Sequence, residues 1–305
     1  MRIFVTGASG HIGSAVVPEL IEAGHQVVGL ARSDSSAAAL ADAGADVRRG
    51  DLDDLDGLRE AAAAADGVIH LAFKHELLAS GDFLDAVAAD LHAIEAIGAA
   101  LEGSGKPFVS TSGTLMLARG GITGRQGTER DALEAGPRVD AENTVVALGE
   151  RGVRSSVVRL PPIVHSTLDH HGFGPTLIAI AREKGVAGYV GDGTNRWPAV
   201  HTLDAARVYR LALESAPAGS RLHAVADAGV PFREIAEAIG RNLDVPAKSI
   251  AAEDAGEHFS FLGDLVALDN PTSSASTKEL LGWQPTHPGL IADIDQGHYF
   301  GVPTA

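Results

Sequence analysis

Glycines at positions 7, 10 and 13, in the run Val5-Thr6-Gly7-Ala8-Ser9-Gly10-His11-Ile12-Gly13, are the residues whose spacing most directly implies chemistry. The apolar Ile3-Phe4-Val5 before them reads as a buried strand, and the residues after them read as a helix. At such a turn an early glycine permits the tight bend. A middle one lets the backbone approach a pyrophosphate, and a last one lets helix and strand pack closely. The helix end adds unpaired N–H groups and the positive end of its dipole. The pattern predicts a dinucleotide held by Thr6, Gly7, Ser9, Gly10, His11, Ile12 and Gly13, because a second strand follows in register.

The end of that second strand addresses which dinucleotide. An acidic residue there would hold the ribose hydroxyls of NAD(H), whereas an arginine accommodates a 2′-phosphate. The strand ends Gly29-Leu30-Ala31-Arg32-Ser33-Asp34. The planar fork of Arg32 donates two parallel hydrogen bonds to phosphate, and Ser33 adds a hydroxyl. NADP(H) is therefore expected over NAD(H), with Asp34 as the competing acid.

These residues need a frame to hold them. Strands are expected at Arg2–Thr6, Gln26–Leu30, Asp46–Arg48, Gly67–Ala72, Pro107–Thr111 and Ser155–Leu160. Helices are expected up to about Ala23, then at Ala37–Ala43, Leu55–Ala65, Phe83–Leu101 and Ala141–Arg151. Pro18 inside the first helix predicts a distortion there, not an end. Strands alternating with helices of this size predict an α/β fold with a doubly wound parallel sheet, of the Rossmann type. After Leu160 the composition shifts to prolines, glycines and the pair His170 and His171. Later helices are expected at Leu203–Leu213, Phe232–Leu243 and Thr277–Leu281. The reading is a dinucleotide-binding domain of residues 1–165 plus 201–222, and a smaller substrate domain of residues 166–200 plus 223–305.

Composition narrows the function. The 305 residues are 45% hydrophobic and 21% charged, which are globular proportions. Cysteine is absent, which removes disulfides, thiolate metal sites and a cysteine nucleophile. Lys plus Arg number 24 against 40 Asp plus Glu, a formal net charge of −16, so a nucleic-acid backbone is not an expected partner. No apolar run approaches the ~18 residues of a membrane span, and the N-terminus lacks the apolar stretch of a signal peptide. A cytoplasmic protein without membrane contact is expected, with a homodimer as the candidate assembly.

Thr6-Gly7-Ala8-Ser9-Gly10-His11-Ile12-Gly13 resembles the glycine turn of extended and atypical short-chain dehydrogenases/reductases, the NAD-dependent epimerase/dehydratase group among them. Gly50-Asp51-Leu52 is similar to that family's adenine-contacting segment after the third strand. His70-Leu71-Ala72 is similar to its fourth-strand motif beside the cofactor. Val109-Ser110-Thr111-Ser112-Gly113 resembles the segment carrying the catalytic serine, and Arg159-Leu160-Pro161-Pro162 the segment touching the nicotinamide. The resemblance thus implies cofactor contacts from Asp51, Leu52, Leu71, Ala72, Pro161 and Pro162. Gly191 to Arg196 and Val200 to Asp204 resemble the substrate-domain motifs of sugar-nucleotide epimerases, and Ser274 to Trp283 their C-terminal helix. Catalysis in that family uses a tyrosine with a lysine four residues later. Tyr189, Tyr209 and Tyr299 are the only tyrosines, and Gly193, Leu213 and Pro303 stand four residues after them. Aligning Asp140-Ala141-Glu142 with the family's Lys-Ala-Glu puts Asp140 at the lysine and Gly136 at the tyrosine, and Asp90 stands for an asparagine.

Ser112 is left to hydrogen-bond a substrate carbonyl at the carboxyl edge of the sheet. Histidine titrates near neutrality, which makes His165 the leading replacement proton donor, with His170, His171, His201 and Lys74 as alternatives. No His–Glu spacing typical of zinc sites occurs, and no metal is expected. By resemblance, Arg196 would hold a substrate diphosphate; Trp197, beside it, is read as the floor of an apolar pocket, and Lys74, close after the fourth strand, as entering the site. These readings converge on an NADP(H)-dependent oxidoreductase of a small carbonyl-type substrate. The alternatives are a nucleotide-sugar epimerase or dehydratase, and a non-enzymatic sensor of the NADP(H) ratio.

Overall fold

The computed structural model describes residues 1–77 and 81–301. Its first half alternates β1 (Arg2–Thr6), α1 (Gly13–Glu22), β2 (Gln26–Ala31), α2 (Asp34–Asp42), β3 (Asp46–Arg49), α3 (Leu55–Ala64), β4 (Gly67–His70), α4 (Phe83–Leu101), β5 (Pro107–Gly113), a short α5 (Leu115–Arg119), α6 (Val139–Ala147) and β6 (Arg154–Leu160). With β10 (Ser220–His223) these strands form one seven-stranded parallel sheet in the order β10-β6-β5-β4-β1-β2-β3. Ile3, Phe4 and Val5 are all buried, as an apolar run in a sheet covered on both faces requires. One face packs Val16 and Leu20 of α1 against Tyr209 and Leu213 of α8 (Thr202–Ser215). The other packs Leu58, Ile97 and Val145 of α3, α4 and α6. Strand order reverses between β1 and β4, and a crevice opens at their carboxyl ends, where open α/β sheets bind ligands.

The expected doubly wound sheet is present, and α8 returns to it. Pro18 lies inside α1 without ending it. It has no N–H to give the carbonyl of Ser14, and Ser14 is exposed, so water can replace that bond. The sequence reading missed β10, the seventh strand, because Ser-Arg-Leu-His offers no alternation to detect.

Most of the rest of the chain folds around Trp197, Phe232, Ile235 and Phe259, while Leu281 and Trp283 join the core of the large sheet. It contributes β7 (Ile163–His165), α7 (Phe173–Lys184), β8 (Ala187–Val190), β9 (Arg196–His201), β11 (Asp227–Pro231), α9 (Phe232–Leu243), β12 (Ala247–Ile250), α10 (Ala255–Phe259), α11 (Ala275–Leu281) and α12 (Leu290–Ile294). Strands β11, β9 and β7 make one small sheet, and β12 and β8 another. Among the described residues no helix is long and apolar enough to cross a membrane.

A buried polar junction ties this region to the glycine turn. The Thr202 hydroxyl donates to the carbonyl of His165 at 3.2 Å and accepts from Ser166 Oγ at 2.8 Å. It also meets His11 Nε2 at 2.9 Å, so the His11 ring carries its proton on Nε2. That leaves Nδ1 bare, 3.6 Å from Asp169 Oδ1. Asp169 accepts from the N–H of Gly172 at 2.8 Å and is 3% exposed. The Tyr299 hydroxyl accepts from the N–H of Ser166 at 3.1 Å. Burial lifts the Asp169 carboxyl from 3.8 to about 6, and burial with neighbouring histidines depresses His11 to about 4. A proton on Asp169 also removes the clash of lone pairs with His11 Nδ1.

The folded protein therefore holds the Asp169 proton more tightly than the unfolded chain does. The carboxyl costs nothing below about pH 4, and its cost grows as pH rises through about 6, reaching about 3 kcal/mol by linkage. Asp169→Asn keeps the acceptor for Gly172 and removes the charge. Its urea midpoint should exceed that of the wild type at pH 8 and match it at pH 4; a variant less stable at pH 8 would show that the charge is welcome in the fold.

Candidate functional site

Three glycines shape the turn after β1 in three ways. Gly7 adopts φ +64°, and a Cβ there would lie 2.7 Å from the Ala72 nitrogen at the end of β4. A Cβ at Gly13 would lie 2.2 Å from the carbonyl oxygen of Gly7, so α1 sits as close to β1 as backbones allow. Gly10 is exposed, and a Cβ there would meet only the Gly7 carbonyl oxygen, at 3.3 Å. Two glycines thus serve packing, and the third leaves an open cradle above the amino end of α1, which fits a pyrophosphate. Ser9 is exposed at the rim, and His11 turns its ring back onto Thr202.

At the end of β2, Ser33 caps α2, accepting from the N–H of Ser36 at 3.1 Å. The Arg32 guanidinium is exposed and pairs with Glu76. Arg49, at the end of β3, donates to Asp34 at 2.7 Å and also to the carbonyl of Ser33. The sequence reading passed over Arg49; two strands side by side, β2 and β3, bring it to Ser33. Asp51 accepts from the N–H groups of Asp53 at 2.8 Å and Asp54 at 3.3 Å, shaping the turn beside this pocket, and Leu52 is buried under it.

Between the turn and the reactive edge runs a chain of buried polar groups. His70 Nε2 lies 3.1 Å from Asp90 Oδ1, and His70 Nδ1 lies 2.7 Å from Thr6 Oγ1. The carboxylate fixes the ring proton on Nε2, so Nδ1 accepts from the Thr6 hydroxyl. Thr6 Oγ1 accepts in turn from the N–H of Ala72 at 3.3 Å, beside Leu71. Arg138 completes this edge. It sits at the head of α6 in a left-handed conformation, φ 66°. Its Nη2 donates to the carbonyl of Thr111 at 3.0 Å, and the guanidinium lies 4.3 Å above the Phe73 ring. Asp140, aligned from sequence with the family's lysine, is exposed on α6, so the cation at this edge comes two residues earlier.

The remaining sequence candidates are scattered. Ser112 ends β5 as expected, with its hydroxyl on Met116 Sδ at 3.0 Å and facing the buried Glu142. His165 is 0% exposed, 2.9 Å from Asp293 Oδ2, which also meets His298. Fully buried, His165 holds the C-terminal segment through Asp293. His201 packs edge-on to it and caps α8. Pro161 and Pro162 join β6 to β7. Lys74 turns to Asp53, at 2.6 and 2.7 Å, on the β3 side of the crevice. Arg196 is clamped by Asp269 at 3.0 and 2.8 Å. Trp197, read from sequence as a pocket floor, is 0% exposed; its ring is core, against Phe232 and Phe173. Among the described residues no group of histidines and acids is arranged to hold a metal ion.

Known proteins share this architecture. An uncharacterized protein of Schizosaccharomyces pombe is 48% identical over 300 residues, covering 98% of this chain and all of its own. The 2-alkyl-3-oxoalkanoate reductase of Stenotrophomonas maltophilia is 28% identical over 234 residues, 72% of this chain and 67% of its own. A dTDP-glucose 4,6-dehydratase from Streptomyces venezuelae, solved with NAD bound, superposes with a TM-score of 0.77 at 20% identity, covering 98% of this chain and 96% of that one. Residues 3–137, from β1 to the loop before α6, match the model of the NAD dependent epimerase/dehydratase family. The glycine turn and the first five strands thus lie in the stretch that resembles the NAD dependent epimerase/dehydratase family, and the whole chain shares the fold of the solved dehydratase.

Proposed function

We propose that the protein is an NADP(H)-dependent oxidoreductase acting on a small carbonyl-type substrate. The observation that carries the reading is the pairing of an open phosphate cradle at Gly10 with two arginines, Arg32 and Arg49, flanking Ser33 at the amino end of α2. A bound nicotinamide dinucleotide supplies or takes up hydride. The protein binds and orients it. The N–H groups of the turn and the α1 dipole face the pyrophosphate, and the arginine pair faces a 2′-phosphate.

Glu76 and Asp34 now occupy those arginines. Exposed pairs of this kind are worth about 0–1 kcal/mol, so a phosphate displaces them at little cost. Charge-assisted hydrogen bonds to the phosphate return ~1.5–3 kcal/mol each. The reductase among the relatives supports the carbonyl reading. The sugar-nucleotide reading draws on the solved dehydratase, and it would need a diphosphate to displace Asp269 from Arg196.

Two outcomes test the cofactor assignment. Arg32→Glu should weaken NADPH by an order of magnitude or more, about 1.4 kcal/mol per tenfold, and leave NADH nearly unchanged in a fluorescence titration; equal weakening of both would remove the 2′-phosphate role. Gly10→Val should abolish dinucleotide binding in a protein that still melts cooperatively, because its branches fill the cradle. Gly13→Val, with a Cβ 2.2 Å from a carbonyl oxygen, should instead fail to fold. Wild-type affinity in Gly10→Val would make the turn purely structural.

A further inference from the structure

The carboxyl edge of the sheet holds a cation and an acid that are each one hydrogen bond short. Asp90 is 2% exposed; its Oδ1 is taken by His70, and its Oδ2 is buried without a partner. The nearest cation, Arg138 Nη2, lies 3.8 Å from that oxygen, beyond hydrogen-bond reach. Arg138 Nε is likewise buried without a partner. Leaving such groups unpaired is costly, more so when they are charged. The backbone adds to this, since a non-glycine residue in the left-handed region is strained and persists where its surroundings hold it. Here the Phe73 ring and the Thr111 carbonyl do so.

The guanidinium is nonetheless a quarter exposed, beside the carboxyl end of β5. A single oxygen about 2.8–3.0 Å from both Arg138 and Asp90 Oδ2 would supply what each lacks. A hydroxyl has the required polarity, because it accepts from the guanidinium and donates to the carboxylate. The site is thus matched to the alcohol form of a carbonyl–alcohol pair.

We propose that Arg138 is a catalytic residue of this protein. It binds the reacting oxygen of a small carbonyl or alcohol substrate and stabilises the negative charge that gathers there, with Asp90 as its positioning residue. The inference rests on the oxidoreductase reading above. As hydride adds to the carbonyl carbon, the C=O π pair moves to oxygen, and a proton from water completes the hydroxyl. Arg138 lowers the energy of the charged oxygen between those events, as a fixed positive charge already held in place before the reaction. The chain has no Tyr–Lys pair, so this guanidinium meets a need that no tyrosine fills.

The test uses the whole protein with NADPH and a panel of small ketones and aldehydes. Arg138→Gln should lower kcat about 10²–10³-fold, the usual loss when one donor to a developing oxyanion is removed. NADPH affinity should stay within about twofold. Arg138→Lys should recover part of the rate, and ethylguanidinium added to Arg138→Ala should recover part of it as well, which a purely structural role would not allow. A second measurement is independent of turnover: 2,2,2-trifluoroethanol titrated into the NADP⁺ complex should bind the wild type at least about tenfold tighter than Arg138→Gln. Carbonyl turnover that survives in Arg138→Gln within about threefold overturns the proposal and leaves the oxidoreductase reading standing. No turnover by any variant, with trifluoroethanol binding still dependent on Arg138, overturns that reading and keeps the oxygen site. Equal trifluoroethanol binding, or none by the wild type, overturns the site itself.

Discussion

The contact on which everything else rests is between two backbones. Where Gly13 meets the carbonyl of Gly7 there is no room for one further carbon, and Gly7 meets the end of β4 almost as closely. A first helix held that tightly to the first strand brings its amino end to the point where strand order reverses. The crevice between β1 and β4 and the open space over Gly10 follow from that approach. So does the position of Thr6, which links the turn to His70. A side chain at either packing glycine would push α1 outward and take the phosphate cradle apart.

A second constraint is charge taken out of water. Glu142 is buried between Arg159 and Arg221, at 2.9 and 2.8 Å through their Nε atoms, and Arg159 also donates to the carbonyl of Asp131. Such clusters are costly to break, because a lone partner would remain buried and unpaired. This one pins α6 to β6 and the neighbouring β10, and α6 carries Arg138 at its head. The position of the guanidinium at the crevice is therefore set from behind, by residues that never touch it.

How much of this was legible depended on how local the signal was. The glycine turn, the alternation of strands and helices, and Arg32 at the end of β2 could all be read, because each is encoded within a few consecutive residues. Arg49 could not, since its role exists only once β3 lies beside β2. Arg138 was hidden by the alignment of the helix after it, which pointed to Asp140, and nothing in the sequence announces a left-handed arginine. His165 looked available because it follows the nicotinamide segment. Its enclosure depends on Asp293, 128 residues further along the chain. Trp197 was misjudged for a like reason, because Phe232 approaches it from a distant segment.

An open parallel sheet also has two outer strands whose backbone groups invite a stranger to pair. At one border β3 is only four residues long, and three of them, Asp46, Arg48 and Arg49, are charged. Arg48 reaches across to Glu60 at 3.0 Å, and Arg49 reaches to Asp34. At the other border the N–H of His223 in β10 is already spent on the Thr277 hydroxyl, at 2.7 Å. Short, charged or pre-satisfied borders discourage edge-to-edge stacking into aggregates. Arg49 thus has two tasks, one tying the end of β3 to Asp34 and Ser33 and one guarding a border. A substitution there would be expected to show in the solubility of the protein.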